Sequence, residues 1–101
     1  MAAAAEPDLV TRRVRVRGLV QGVGYRYACV QRAEALGLAG WVRNRIDGSV
    51  EALLQGPPAQ VDRMCEWMRT GVPGARVDRL LAQDVPPPAG RIDGFAQQPT
   101  A

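Results

Sequence analysis

The stretch Arg13-Val14-Arg15-Val16-Arg17-Gly18-Leu19-Val20-Gln21-Gly22-Val23-Gly24-Tyr25-Arg26 decides the fold. Its first five residues alternate basic and apolar, so Val14 and Val16 share one face of a strand with a single buried side. Gly18 to Gly24 is a glycine-rich loop. A helix opens straight out of it from Tyr25 to Leu36. Tyr25, Cys29, Ala33 and Leu36 recur at helical spacing, and Gly37 is a suitable stop.

Downstream of this unit, Ala39–Arg45 predicts a second strand and Ser49–Gln55 a third. Asp47-Gly48 between them is a hairpin signal. Gly56-Pro57-Pro58 ends the hairpin and starts a second helix, with Pro58 near its first position. Val61, Met64, Cys65 and Met68 follow the i, i+3, i+4, i+7 pattern of a buried stripe. Gly71–Ala75 reads as loop and Val77–Val85 as a fourth strand. Pro86-Pro87-Pro88 cannot lie in a central strand, and a last short strand falls near Phe95. The order β-α-β-β-α-β predicts an α+β, ferredoxin-like sandwich: one antiparallel sheet with both helices on one face. A right-handed crossover makes the second strand parallel to the first. The glycine-rich loop and Arg43-Asn44-Arg45 then meet at one edge of the sheet.

With 101 residues, 47% of them hydrophobic, the chain suits one domain with a modest core. Residues 1–10 read as a disordered leader, since Glu6-Pro7-Asp8 interrupts a short alanine run that lacks a basic segment. Residues 11–99 form the domain. No apolar run approaches the ~20 residues of a membrane span. Cys29 and Cys65 have no metal-type spacing and read as reduced thiols of a cytoplasmic protein, although two adjacent helices would allow them to pair.

The missing residue types exclude several chemistries. There is no histidine, and all 13 basic residues are arginine. His general bases, His–metal centres, a P-loop lysine and Schiff-base catalysis are therefore excluded. The net charge of +3 favours anionic partners, and guanidinium forks suit phosphate or carboxylate.

The loop's glycines permit positive φ and close approach of a ligand, and backbone N–H groups at a helix start can converge on an anion. The same glycines also fit a plain strand-to-helix turn. Arg26 adds weight to the anion reading. A cation in the first turn opposes the helix dipole, unless an anion binds in front of it. Asn44 offers donors and an acceptor able to orient a water, although ordinary turn chemistry also accounts for an asparagine there.

Gly18-Leu19-Val20-Gln21-Gly22-Val23-Gly24-Tyr25-Arg26 resembles the first signature of the acylphosphatases, and Gly40-Trp41-Val42-Arg43-Asn44 resembles the second. Asp47-Gly48-Ser49-Val50-Glu51 and Gly56-Pro57 continue the likeness. The resemblance implies hydrolysis of acyl phosphates to carboxylate and inorganic phosphate. It implies that Arg26 binds the phosphate and that Asn44 holds the attacking water. The backbone amides of Gln21, Gly22, Val23, Gly24, Tyr25 and Arg26 would cradle the phosphoryl oxygens. Together with the residue types present, the expectation is a cytoplasmic monomer that needs no metal or cofactor and has neither membrane nor nucleic acid as partner. Tyr25 stands where the family often has phenylalanine. Two other readings compete: a nucleic-acid-binding module of the same fold, and an acyl-phosphate-binding regulatory module. Arg13, Arg15 and Arg17 would serve the first of these, but the third strand has no aromatic on which to stack bases.

Overall fold

The first strand is longer than the alternation of Val14 and Val16 with arginines predicts, because pairing with neighbouring strands extends it at both ends. The structure, a computed structural model, describes residues 9–89 and 92–101. Its order is β1 (Val10–Leu19), α1 (Tyr25–Ala35), β2 (Ala39–Asn44), β3 (Val50–Gly56), α2 (Pro58–Thr70), β4 (Arg76–Asp84) and β5 (Phe95–Gln97). Residues 1–8 of the expected leader lie outside the described residues, and Val10 already belongs to β1.

Gly18 and Leu19, expected in the loop, extend β1 instead. A register shift after Arg17 lets them pair with Val77 and Arg76 of β4. Gly18 has a φ of 136°, and a Cβ there would collide with the Arg76 carbonyl oxygen. Only glycine permits that close approach.

The sheet order is β4-β1-β3-β2-β5. β1 and β2 each pair antiparallel with β3, so they run parallel to each other, as the crossover argument requires. The four long strands form an antiparallel ladder, and β5 adds to β2 in parallel, which makes the sheet mixed. Beyond β5 the chain keeps to this path. Gln98 N–H donates to the Val42 carbonyl, and Ala101 N–H to that of Asn44.

α1 packs on β2 and β5, while α2 packs on β4, β1 and β3. The face beneath them carries Val14, Ala52 and Val42 in one row, with Val16 beside Val50. All five are fully buried. Each valine so placed contributes roughly 1.5–3 kcal/mol, and the alanine less. Tyr25, Cys29 and Ala33 of α1 and Val61, Met64, Cys65 and Met68 of α2 complete this core. Both cysteines are buried and free. Burial pushes the Cys29 thiol up to about 12.

Candidate active site

The site begins where β1 stops. Val20 to Gly24 turns the chain from the sheet edge into α1, with Gly22 and Gly24 both at φ 78°. That left-handed conformation favours glycine, and the space a Cβ would fill at either position is open. Gly24 is the N-cap of α1 and supplies no side-chain cap, and the first turn holds no acidic residue. The first N–H groups of a helix have no intrahelical acceptor. The positive end of the helix dipole is thus left open to an anion. Arg26 adds a full positive charge in that first turn. None of the ion pairs among the described residues uses it.

Asn44 ends β2 at the same edge. Its backbone pairs with Val50, and its carbonyl accepts from Ala101 N–H at 3.1 Å. Its side-chain Oδ1 is buried and meets no donor among the described residues. A buried amide oxygen without a donor is costly, and such groups concentrate where a ligand or water completes the set.

One recess of about 130 Å³ joins the two segments, lined by Gly22, Gly24, Arg26, Tyr27, Asn44 and Gln97 among others. It is smaller than the ~300–1,000 Å³ that encloses a drug-sized ligand. The topology thus brings together Arg26, Asn44 and part of the predicted amide loop. Gln97 enters through the parallel register of β5, which no sequence pattern announced. Tyr27 also lines the recess, although it lies in the first turn of the helix as the sequence placed it. Its hydroxyl accepts from Gln31 Nε2 at 3.0 Å.

A larger, shallower groove of about 490 Å³ runs over Arg13, Arg15 and Arg17 on the open face of the sheet. Those guanidiniums already face carboxylates. Glu51 is buried among Arg13, Arg15, Arg43 and Arg45, the shortest contact being 2.8 Å from Arg43 Nη2. Burial works to raise the Glu51 carboxyl. The Arg43 hydrogen bond and the neighbouring guanidinium charges outweigh it and hold Glu51 below its ordinary range. Arg15 and Arg17 reach Asp47 at 3.7 and 3.0 Å. The ring of Trp41 on that face is covered by the Arg43 guanidinium, 4.7 Å from its centroid. The groove's size does not make it the site, because no helix starts there and its arginines are already paired with carboxylates.

The sequence profile of the acylphosphatases matches residues 12–97. The chain belongs to the acylphosphatase family. It is 60% identical over 92 residues to acylphosphatase 1 of Ralstonia nicotianae, covering 91% of this chain and 90% of that one. It is 47% identical over 100 residues to the acylphosphatase of Rhizorhabdus wittichii, covering 99% of both. The crystal structure of acylphosphatase from Bacillus subtilis superposes with a TM-score of 0.83 at 35% identity, over 88% of this chain and 98% of that one. The protein is therefore a hydrolase acting on acyl phosphates, with the α+β ferredoxin-like fold of its family. Among the described residues no helix is long and apolar enough to cross a membrane.

Proposed function

We propose that hydrolysis proceeds by in-line attack of a water held by Asn44 on the phosphorus of an acyl phosphate seated against Arg26 and the loop amides. The orphaned, buried Oδ1 of Asn44 carries this reading. An amide oxygen accepts a hydrogen bond from water and so turns the water's lone pair toward phosphorus. The N–H groups from Gln21 to Arg26 and the guanidinium fork hold the phosphoryl oxygens. The bond between phosphorus and the bridging oxygen breaks, and its electron pair leaves with the carboxylate. Water supplies the new oxygen on phosphate and releases its proton to solvent.

A carboxylate is a stable anion and needs no general acid to depart. Phosphoryl transfer through a loose transition state asks mainly for position and charge stabilisation, and the recess offers both. The same reading has the protein act in the cytoplasm as a monomer on a small acyl phosphate, releasing inorganic phosphate.

Asn44→Ala tests it. Turnover is expected to fall by about 10²–10³ while KM changes little, because the side chain acts on water and not on bound phosphate. A variant altered only in KM would assign Asn44 to substrate binding.

A further inference from the structure

Gln21 enters the reading above only through its backbone N–H, yet its side chain points out of the loop and into the β2–β3 turn. Nε2 donates to the Arg45 carbonyl and to the Ser49 carbonyl, each at 2.9 Å. These two carbonyls bracket the hairpin turn, where Arg45 N–H also donates to the Ser49 carbonyl at 2.8 Å. Both protons of the carboxamide are used, and two facing carbonyls fix its orientation. Arg45 directly follows Asn44. One half-buried residue therefore has its main chain in the phosphate loop and its side chain on the segment that carries the water-holding asparagine.

We infer that Gln21 is a positioning residue for the reaction: its carboxamide fixes the turn after Asn44 to the phosphate loop, and so sets where the held water lies relative to phosphorus. The inference rests on the reading of Asn44 given above. The other ties on this turn do not reach the loop. Asp47 accepts from Ser49 N–H and Ser49 Oγ, within the turn itself, and from Arg17 on β1. Asn44 is tied on its far side by Ala101. Among these contacts of the described residues, Gln21 alone spans from the anion side of the recess to the water side. In-line displacement is sensitive to that spacing, since a misplacement of ~1 Å can cost about 10²-fold in rate.

Two substitutions separate the role from a merely structural one. Gln21→Leu removes both hydrogen bonds at similar size. Gln21→Glu keeps the shape but turns the donors into an acceptor facing two carbonyls. Each is made alone and combined with Asn44→Ala, and all are assayed with benzoyl phosphate and with inorganic phosphate as inhibitor. Thermal unfolding identifies the folded variants.

For the single variants, kcat is expected to fall about 10- to 100-fold. For Gln21→Leu, which adds no charge to the anion site, KM and phosphate inhibition should stay within about twofold, because Arg26 and the amides remain. In the Asn44→Ala background the Gln21 substitutions should add less than about twofold, since the group they position is gone. The Gln21→Glu variant should regain turnover relative to wild type as its carboxyl protonates, because an O–H restores one donor.

Equal proportional losses with and without Asn44, or weakened phosphate inhibition at unchanged kcat, would overturn the positioning role and leave Asn44 in place. A normal kcat in Asn44→Ala alone would instead remove the water-holding reading, and this inference with it. If Gln21→Leu does not fold, the Gln21→Glu pH profile decides, and a flat profile relative to wild type overturns the role.

Discussion

Arg26 occupies a position that a stable helix avoids. A cation in the first turn works against the dipole, and here no acidic neighbour in that turn offsets it. Replacement therefore costs the fold little. Arg26→Ala and Arg26→Lys should each unfold within about 0.5 kcal/mol of wild type. Turnover of an acyl phosphate should drop by about 10²-fold or more in both. Lysine keeps the charge but offers no planar pair of donors. A lysine variant with substantial kcat/KM would show that charge suffices and that the fork plays no part. Arg26 was legible in the sequence because its conflict with the dipole is itself a local signal. Asn44 was legible only beside its motif, since an asparagine before Asp47-Gly48 also fits a turn. Two other side chains carried no such mark. The Tyr25 hydroxyl donates to the Met68 carbonyl at 2.6 Å, satisfying a carbonyl in the last turn of α2. Gln21 bonds to carbonyls 24 and 28 residues away. Partners that distant are set by the fold and leave no periodicity to read.

The elements themselves were largely readable, since each declares its own period or its own breaker. α1 ends at Ala35 with Gly37 in the left-handed region, and α2 begins at Pro58 after a proline N-cap. The parallel addition of β5 to β2 was not readable, because three residues are too few to carry a pattern. The pairing of charges across strands was equally hidden. The alternating arginines of β1 look alike in sequence, and in the fold Arg13 and Arg15 close over Glu51 of β3 while Arg17 reaches Asp47. That arrangement makes the central strands sensitive to acid. The folded-state pKa of Glu51 lies below its ordinary 4.5. Its contribution is therefore fully present above the unfolded value and is lost as pH falls through the folded one. Asp47, lowered by its Ser49 hydrogen bonds and then by Arg17, acts in the same direction. Glu51→Gln should be less stable than wild type near neutral pH, and the gap should close as pH falls below 4.5. Unfolding midpoints across that range check this. A gap that stays constant with pH would mean the four arginines do not act on an ionised Glu51.

At the scale of the whole molecule, the fold delivers two things to one sheet edge: a cationic helix start and a carboxamide whose buried oxygen has no donor among the described residues. Among the described residues it brings no carboxyl and no thiol into the recess. No three His, Cys, Asp or Glu side chains among the described residues gather as a metal donor set. Glu51 and Asp47 are engaged with arginines on the open face, and neither lines the recess. The buried thiols are raised in pKa and lie in the core. The proposed machinery therefore suits only leaving groups that depart unaided. An alkoxide is far more basic than a carboxylate, and its departure needs a proton donor or a Lewis acid. A guanidinium and a carboxamide supply neither. Acetyl or benzoyl phosphate should accordingly be hydrolysed rapidly, and a simple sugar phosphate hardly at all. The ratio of kcat/KM should exceed about 10³, since general acid–base assistance alone is worth typically 10²–10⁴. The acyl phosphate activity should also be the same with and without EDTA. A side-by-side assay of the two substrates decides the point. Comparable rates would require a proton donor beyond the Arg26–Asn44 pair, for which the Tyr27 phenol lining the recess would be the group to substitute, and loss of activity with EDTA, restored by one metal, would replace the mechanism with a Lewis-acid one.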